Sequence, residues 1–551
     1  MALQQSVPTT SVVQATFVAT LVDEWSRLGL RDVIVCPGSR STPLALAFAN
    51  RSEIALHVRI DERSAAFFAL GRALVSGRPV ALVVTSGTAA AELHAAVAEA
   101  DLAHVPLLVL TADRPPELHG VGAPQTIDQQ HLYGAKVRLY EEPGVARVDA
   151  SSSWRPLAAR LWRGASGDRG VAGPVHLNAA FVEPLLATPL ELSPAMLMAP
   201  VPARPLHAAD LDVRGRRVLC VVGAGTHPDV IIAARDANWV VCGDATARGS
   251  LSYVDPLVRH EEIWSALHPD VIIRLGGIPA SKFLAQRLAT SDVDVIALEG
   301  AGPVADPDGV VSRLVRGVPD AANPSHVGDP DFAAQWRDAS ELVERHLGDV
   351  WDEELDEVLV ARLVVEAANA TATALVVGSS MPVRDVEWWS RSRESAVFSN
   401  RGANGIDGVV STFLGVAEGA SAIGLVGDVT MLHDVSALVE VPGEGTRAVL
   451  VVSDNGGGGI FSFLSQARHV APPTFERLFG TPRHHDLAAV AAAFGHHGET
   501  VASASQLRAA LARGLEREGL SVIVATLPSR EHNVARHEEL NALIATWWAS
   551  R

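Results

Sequence analysis

Residues 421–459 read SAIGLVGDVTMLHDVSALVEVPGEGTRAVLVVSDNGGGG. Two apolar runs in this stretch, AIGLV and AVLVV, have the length and composition of buried β-strands. Asp428 and Asn455 each follow one of the runs, so each stands at the end of a strand and before a turn. Ligands of open α/β sheets bind in the crevice outside the carboxyl ends of the strands. The stretch therefore predicts an α/β fold with a ligand site at the edge of a sheet.

The side chains at these two strand ends favour a metal-bound phosphate as the ligand. A carboxylate and an amide oxygen suit Mg²⁺, which completes its coordination with water and phosphate oxygens. The glycines after Asn455 let the backbone approach a phosphate closely and offer N–H groups to it. An ordinary βαβ turn without a ligand is the alternative. Of the Gly-Asp pairs in the chain, only the one that ends at Asp428 is followed 27 positions later by an asparagine, Asn455. The other pairs end at Asp168, Asp244, Asp329 and Asp349.

Composition and charge exclude several classes of protein. The chain has 551 residues, 48% of them hydrophobic and 20% charged, as expected of about three or four globular domains. The net charge of −18 argues against nucleic acid or an anionic membrane as the main partner. No apolar stretch reaches the ~18 residues of a transmembrane helix. The N-terminal segment predicts an amphipathic helix and not a signal peptide.

The cysteine pattern favours a cytoplasmic protein. Cys36, Cys220 and Cys242 lie far apart in apolar, strand-like contexts. They predict neither a disulfide framework nor a closely spaced metal-binding pair, which fits a reducing compartment.

Strand-like and helix-like segments alternate along the chain, which predicts doubly wound parallel sheets covered by helices. A Pro-rich linker is predicted at 184–206, and a second linker in the stretch DAANPSHVGDP at 320–330. The sequence VGAG at 222–225 matches a dinucleotide-binding loop only weakly, so strand–helix packing is the preferred interpretation. Three domains are expected, the first and third with a similar strand rhythm: 1–185, 207–335 and 350–551.

The spacing and flanks of Asp428 and Asn455 resemble the Gly-Asp…Asn signature of thiamine diphosphate (ThDP) enzymes. This resemblance implies that Asp428, Asn455 and the backbone carbonyl of Gly457 coordinate Mg²⁺ or Mn²⁺ on the diphosphate, next to Gly427. It also implies three domains in the order pyrimidine-binding, central and diphosphate-binding. In that family the cofactor lies between the first domain of one subunit and the third domain of another. The active site then requires at least a dimer.

The segment HVRIDERSAAFFALG places Asp61 and Glu62 between a strand and an apolar helix. Acidic residues in the first turn of a helix ordinarily complement its dipole, which is the alternative to a catalytic role. The resemblance implies that Glu62 is the carboxylic acid that contacts the aminopyrimidine ring of ThDP and activates the cofactor. The cofactor supplies the electron sink, and the protein supplies orientation and control of protons.

Four basic residues at turns after predicted strands indicate an anionic substrate. Most arginines are solvated surface residues, so any one of the four alone does not indicate a binding site. Together they suggest a site for several carboxylates, which the planar fork of arginine binds well. The four residues are Arg40, Arg114, Lys282 and Arg401.

The blocks around these residues resemble the 2-succinyl-5-enolpyruvyl-6-hydroxy-3-cyclohexene-1-carboxylate (SEPHCHC) synthase family of menaquinone biosynthesis. The matching blocks are CPGSRSTPL, HVRIDERSA, TSGTAAAEL, LTADRPPEL, QTIDQQHLYG, SSMPVRDV, SNRGANGIDGVVST, GDVTMLHD and DNGGGGIF. The resemblance implies a transferase that decarboxylates 2-oxoglutarate on ThDP and adds the succinyl unit to isochorismate. It further implies a homodimer or homotetramer.

The same matching of residues implies roles for individual positions. Substrate is held by side chains from several blocks: Ser39, Arg40, Arg114, Gln125, Lys282 and Arg401. Ile460 and Phe461 form an apolar wall beside the thiazolium ring. The remaining cofactor contacts are a helix start at Gly87 and Thr88 and a turn at Gly378 and Ser379.

Two alternatives to this function remain at this stage. The first is another ThDP carboligase or decarboxylase, of the acetohydroxyacid synthase or oxalyl-CoA decarboxylase type. The second is a ThDP-fold protein that binds ligand without catalysis. The presence of Glu62, Asp428 and Asn455 together argues against the second alternative.

Overall fold

The computed structural model describes residues 9–168, 170–192, 194–195, 207–299 and 304–551. Strands and helices alternate and form three sheets, and every strand pairing within them is parallel. The predicted α/β class with parallel sheets is thereby confirmed. The chain divides into two compact units: Met1–Ala203 with Asn400–Val416, and Arg204–Ser399 with Ala417–Arg551.

The first unit contains the first sheet. Its strands are β1 (Asp32–Val35), β2 (Ala55–Val58), β3 (Val80–Val84), β4 (Leu107–Asp113), β5 (Tyr140–Glu141) and β6 (Pro174–Ala180). Its helices are α1 (Thr10–Leu28), α2 (Thr42–Ala49), α3 (Glu62–Ser76), α4 (Thr88–Glu92), α5 (His94–Ala103) and α6 (Trp154–Ser166). The strand order is β2-β1-β3-β4-β6-β5. Strands β3, β4 and β6 are buried along their whole length, as apolar runs covered by helices on both faces should be.

The second unit contains the other two sheets, and the first of these is central in the chain. Its strands are β7 (Val218–Val222), β8 (Val240–Gly243), β9 (Val271–Leu275), β10 (Asp294–Glu299) and β11 (Arg313–Arg316). Its helices are α7 (Pro228–Asp236), α8 (Val254–Val258), α9 (Glu261–Ala266), α10 (Lys282–Thr290) and α11 (Pro330–Leu347). The strand order is β11-β10-β9-β7-β8.

The last sheet has six strands: β12 (Ala374–Val377), β13 (Val397–Phe398), β14 (Ser421–Gly427), β15 (Arg447–Asp454), β16 (His497–Val501) and β17 (Gly519–Thr526). The helices of this part are α12 (Glu357–Thr371), α13 (Met381–Trp389), α14 (Val409–Ala417), α15 (Asp428–His433), α16 (Gln466–His469), α17 (Pro472–Phe475), α18 (Leu487–Ala493), α19 (Ala504–Glu516) and α20 (Arg530–Ala549). The strand order is β13-β12-β14-β15-β17-β16.

The first and last sheets have the same topology. In each, the second strand lies on one side of the first strand and the third strand lies on the other. The order of strands therefore reverses between β1 and β3 in one sheet, and between β12 and β14 in the other. Such a reversal opens a crevice at the carboxyl ends of the two strands, which is the usual ligand site of open α/β sheets.

Residues 400–416 pack with the first unit although they follow β13 in the chain. Helices α3 and α14 meet at glycines, which permit a close approach of their backbones. A Cβ atom at Gly71 would lie 2.2 Å from the carbonyl oxygen of Thr412, and one at Gly415 would lie 2.2 Å from that of Phe68. A larger residue at either glycine would force the two helices apart.

The predicted linker at 320–330 is wrong, because this stretch packs onto the central sheet. His326 is fully buried, and its backbone carbonyl accepts a hydrogen bond from the Trp239 indole at 2.6 Å. Its Nε2 also contacts the carbonyl oxygen of Ala209 at 2.8 Å. Proline and glycine mark turns in a sequence but do not tell whether the turn is buried. Of the linker predicted at 184–206, residues 193 and 196–206 lie outside the described residues.

The VGAG sequence at 222–225 joins two loops of the central sheet. A Cβ atom at Gly223 would lie 2.0 Å from the carbonyl carbon of Gly277, so the two backbones are in direct contact. The amide of Gly277 donates to the carbonyl of Ala224 at 3.0 Å. This contact fills the crevice between β7 and β9 and supports the interpretation as packing.

The predicted N-terminal helix is present as α1. Among the described residues, no helix combines the length and the apolar character needed to cross a membrane. The three cysteines are buried and form no disulfide.

Candidate functional site

The crevice of the first sheet carries the predicted residues Ser39 and Arg40, which follow β1. Ser39 is exposed, whereas Arg40 is buried. The Arg40 guanidinium donates to the carbonyl oxygen of Phe181 at 2.9 Å and pairs with Glu183 at 3.3 Å, while its Nε has no hydrogen-bond partner. A buried guanidinium N–H without a partner is costly, so this group is suited to an incoming anion.

Arg114 follows β4 and lies in the electrostatic neighbourhood of Arg40. Burial, and after it the positive charge of Arg114, lowers the pKa of Arg40. Arg114 donates through Nη2 to the carbonyl of Pro124 at 3.1 Å, and its Nε is buried without a partner. Two guanidinium groups that repel each other and keep unpartnered N–H groups can be stabilised by a carboxylate between them.

Gln125 and Gly87 lie next to each other beside these arginines. The backbone of Gln125 is left-handed, with φ of 55°, and its side chain donates to the carbonyl of Ser86 at 3.2 Å. The Ser86 hydroxyl in turn donates to the carbonyl of Gln125 at 3.0 Å. Gly87 also has a positive φ, of 87°, and a Cβ atom there would lie 3.0 Å from Cγ of Gln125. Thr88 begins α4 and is exposed.

The amide of Gly87 was expected to face a ligand, but it is used within the protein. It donates to Oε1 of Gln129, which is buried, at 2.9 Å. Gln129 belongs to a buried polar network in which its amide donates to Asn178 at 2.9 Å. Asn178 donates to Asp113 at 2.8 Å. This network fixes the turn after β3, and the polar run QTIDQQ was its only sign in the sequence.

Glu62 is the first residue of α3, directly after the edge strand β2 and its turn. The neighbouring Asp61 caps the helix, since its Oδ1 accepts from the amide of Ser64 at 2.9 Å. The side chain of Glu62 is half-buried. Asp61 is therefore the capping residue, and Glu62 occupies the first turn of α3.

Arg401 lies in a loop that a buried glutamate holds against α5. The carboxylate of Glu99 accepts from the amide of Gly402 at 2.7 Å and from that of Ala403 at 2.6 Å. Burial raises the pKa of Glu99, while these two amides and the charge of Arg401 oppose that rise. Glu99 belongs to no recognisable motif, although an acidic residue on an otherwise apolar helix face is a usable signal.

We expect the substitution Glu99→Gln to loosen the loop at 401–404. An amide can accept only one of the two N–H groups and presents its own N–H to the other, so a buried charged hydrogen bond is lost. The free energy of unfolding should fall by about 1.5–3 kcal/mol. Denaturant unfolding measures this loss, and hydrogen exchange should increase at the amides of Gly402 and Ala403. The exposed Glu92→Gln on α4 is the control, and equal exchange in both variants would contradict the role of Glu99.

The crevice of the last sheet brings together the remaining predicted cofactor residues that follow β12 and β14. Gly378 and Ser379 form the turn after β12, and the amide of Gly378 donates to the carbonyl of Leu425 on β14 at 2.8 Å. The hydroxyl of Ser379 is buried and has no hydrogen-bond partner. Gly427 ends β14. The two turns thus lie side by side at the reversal of strand order.

Asp428 is the first residue of α15 and is almost fully buried. Its Oδ1 accepts from the amide of Val429 at 2.8 Å, whereas its Oδ2 is buried without a partner. Burial is the main cause that raises the pKa of Asp428 to about 7, and the charge of Asp454 adds to the rise. The backbone amide of Gly457 contacts the same carboxylate and opposes the rise in its pKa. Asp428 and Gly457 therefore lie together.

Asn455 follows β15 and is oriented by Glu357, at the start of α12. Its Nδ2 donates to Oε1 of Glu357 at 2.8 Å, and its Oδ1 is buried without a partner. Burial raises the pKa of Glu357 to about 8. Gly457 has φ of 140°, and a Cβ atom there would lie 2.2 Å from the carbonyl of Gly480. Its own carbonyl accepts from the amide of Gly459 at 2.9 Å and retains a second lone pair.

These atoms fit a divalent cation that carries a diphosphate. The unpartnered oxygens of Asp428, Asn455 and Ser379 stand at the ends of neighbouring strands, and hard oxygen ligands suit Mg²⁺ or Mn²⁺. A cation would also satisfy Oδ2 of Asp428 and Oδ1 of Asn455, which are buried without a partner. Among the described residues, no cluster of three or more His, Cys, Asp and Glu side chains offers a competing metal site.

The residues predicted to form an apolar wall follow the glycines after Asn455. Ile460 and Phe461 lie in a short 3-10 helix, Gly459–Phe463, and both are half-buried. Phe461 packs against Phe479 with ring centroids 5.6 Å apart. Ile460 contacts the apolar core shared by the central and last sheets.

Lys282 begins α10, after the loop that follows β9, and its side chain is exposed. Its loop is fixed by Glu387, whose carboxylate accepts from the amide of Ala280 at 2.8 Å. The next residue, Phe283, is also exposed and lies under the Arg259 guanidinium at 4.3 Å.

The comparisons with known proteins agree with these two crevices. The family profile "Thiamine pyrophosphate enzyme, N-terminal TPP binding domain" matches residues 15–132, and the profile "Thiamine pyrophosphate enzyme, C-terminal TPP binding domain" matches residues 388–525. Domains that bind ThDP are thus present. The first match contains the crevice of the first sheet, and the second contains Asp428 and Asn455.

Two curated relatives cover most of the chain. It is 38% identical to 2-succinyl-5-enolpyruvyl-6-hydroxy-3-cyclohexene-1-carboxylate synthase from Geobacillus thermodenitrificans, with 95% of each chain covered. It is 40% identical to the protein of the same name from Thermobifida fusca, over 86% of this chain and 89% of that one. The solved structure of benzoylformate decarboxylase from Polynucleobacter necessarius is similar with a TM-score of 0.66 and 16% identity, covering 93% and 98% of the two chains. This structural likeness and the two profiles together confirm the predicted ThDP-enzyme fold.

Proposed function

Because this chain belongs to the SEPHCHC synthase family, we propose that it decarboxylates 2-oxoglutarate and adds the succinyl unit to isochorismate, releasing SEPHCHC and CO₂. The observation that carries the proposal is the match to relatives of that name over 95% of both chains. ThDP, when bound, supplies the electron sink for the decarboxylation. Neither alternative, another ThDP carboligase or decarboxylase or a ThDP-fold protein that binds ligand without catalysis, is supported by a comparable match.

The proposed metal and diphosphate site consists of Asp428, Asn455 and the carbonyl of Gly457. It takes Mg²⁺ or Mn²⁺, and Ser379 with the turn at Gly378 lies beside the diphosphate. Glu62 holds a proton at the aminopyrimidine ring and so controls activation of the cofactor. The support is the burial and the unpartnered oxygens of the metal site, together with the cap at Asp61, which places the capping hydrogen bond on that residue and not on Glu62.

The proposed substrate site takes the carboxylates of both substrates. Arg40 and Arg114 form one pair with unpartnered N–H groups, and Arg401 is presented by the loop that Glu99 fixes. The other substrate contacts proposed are Ser39, Gln125 and Lys282. Ile460 and Phe461 provide the apolar side of the site, which excludes water from the reacting carbon.

We further propose that the protein is a cytoplasmic homodimer or homotetramer with three domains per subunit: 1–185, 207–335 and 350–551. Three buried cysteines that form no disulfide fit a reducing compartment. Each active site would combine the first domain of one subunit with the third domain of its partner.

The activity assay uses purified protein, ThDP, Mg²⁺, 2-oxoglutarate and isochorismate. The expected result is loss of isochorismate and a product whose mass equals both substrates minus CO₂, only when all components are present. Omission of each component in turn is the control. Turnover of pyruvate alone, or ThDP binding without any reaction, would contradict the proposed function.

A mixture of two inactive variants, Glu62→Gln and Asp428→Ala, tests the intersubunit site. A mixed dimer combines the intact Glu62 of one chain with the intact Asp428 of the other and so contains one complete site. After exchange of subunits, about a quarter of the wild-type turnover should return for random pairing in a two-fold dimer. Failure of the mixture to regain activity, with exchange verified by differently tagged chains, would place both residues in the same subunit's site.

A further inference from the structure

Glu357 lies outside the sequence blocks that contain the predicted metal ligands, yet it contacts one of those ligands directly. Its side chain is buried, and Oε1 accepts the hydrogen bond from Nδ2 of Asn455 at 2.8 Å. The two residues are 98 positions apart in the chain. The contact occupies the nitrogen end of the carboxamide, which leaves the oxygen end, Oδ1, on the other side.

The surroundings leave Asn455 little choice of orientation. Gly459 packs against the same nitrogen, since a Cβ atom at that glycine would lie 2.6 Å from Nδ2 of Asn455. Oδ1 is buried and has no partner in the protein. A reversed carboxamide would give up the hydrogen bond from Nδ2 to Oε1 of Glu357 and would direct an N–H group, which cannot bind a cation, to the side where Oδ1 now lies.

We propose that Glu357 is a positioning residue that fixes the carboxamide of Asn455 with its oxygen directed at the divalent cation. This inference rests on the proposed metal site and adds a residue to it. Groups that hold a metal ligand in place set its orientation without touching the metal, and their loss commonly weakens metal affinity about 10- to 100-fold. Glu357 is held in turn at the start of α12, whose N-cap is the neighbouring Asp356.

Two explanations predict different results for a pair of substitutions. If Glu357 acts through its hydrogen bond, Glu357→Ala frees the carboxamide, whereas Glu357→Gln keeps an acceptor oxygen for Nδ2. If it acts only by adding negative charge near the cation, both substitutions weaken binding equally. The matched control is Asp356→Asn, which removes a charge from the adjacent buried residue and retains a capping oxygen for the amide of Leu359.

The experiment measures Mn²⁺ binding in the presence of saturating ThDP, by the paramagnetic resonance signal of free Mn²⁺. We expect Glu357→Ala to raise the Kd for Mn²⁺ about 10- to 100-fold. Glu357→Gln and Asp356→Asn should stay within about three-fold of the unsubstituted protein, because each keeps the relevant hydrogen bond. Thermal unfolding without ligand verifies that each variant is folded.

The failure of this inference can be distinguished from failure of the proposed function. Unchanged affinity in Glu357→Ala, or equal weakening in Glu357→Ala and Glu357→Gln, would overturn the positioning role alone. Absence of ThDP-dependent Mn²⁺ binding by the unsubstituted protein would overturn the proposed metal site, and this inference with it.

Discussion

Glu62→Gln is expected to lower kcat by at least about 100-fold, within the range that general acid–base groups contribute. The amide keeps the shape of the side chain but can neither release nor take up the proton that the carboxyl shares with the aminopyrimidine ring. Because the substitution does not touch the metal site, binding of ThDP with Mg²⁺ should remain. Steady-state turnover and calorimetric titration with ThDP measure the two effects separately.

Asp61→Ala is the matched control for Glu62→Gln. It removes the cap that Asp61 gives to the amide of Ser64, which should cost about 1 kcal/mol of stability. Turnover by the folded protein should change little, since the adjacent carboxyl stays in place. Full activity of Glu62→Gln, or equal loss of activity in both variants, would assign Glu62 to the helix terminus and not to the reaction.

Asp428→Ala is expected to abolish the stabilisation that ThDP and Mg²⁺ give to the protein. A ligand at 100 times its Kd stabilises the native state by about 2.7 kcal/mol, which appears as a higher melting temperature. Without the carboxylate the cation loses its charged ligand. The rise in melting temperature should therefore disappear, and turnover should fall at least about 100-fold. A chelator added to the unsubstituted protein should reproduce both effects.

The stability of the ligand-free variant gives an independent measurement. Asp428 is buried with one oxygen unpartnered, so its replacement by alanine removes an unfavourable burial and should not lower the melting temperature without ligand. Asp454→Asn is the control: it keeps an acceptor for the amide of Gly456, and binding should remain within a few-fold. If ThDP and Mg²⁺ stabilise Asp428→Ala as much as the unsubstituted protein, Asp428 is not a ligand of the metal.

The α/β class and the positions of the predicted ligand residues at strand ends could be read from the amino-acid sequence. Apolar runs such as AIGLV and AVLVV form strands because their side chains are buried on both faces, and Asp428 and Asn455 follow those strands in the chain. The placement of Arg40, Arg114 and Arg401 after strands was likewise readable, since a strand and its turn are local features.

The residues that support the candidate site could be identified only from the packing of distant segments. Glu99 accepts a hydrogen bond from the loop of Arg401 although the two hydrogen-bonded residues are 303 positions apart in the chain. Glu357 and Asn455, which are also hydrogen-bonded, are 98 positions apart. The same applies to the buried stretch around His326, which its composition alone marks as a linker. Burial and hydrogen-bond pairing between such distant segments depend on how sheets and helices pack. One sequence encodes the propensity of each segment, but the partner of a polar side chain is fixed only when the packed core brings the two together.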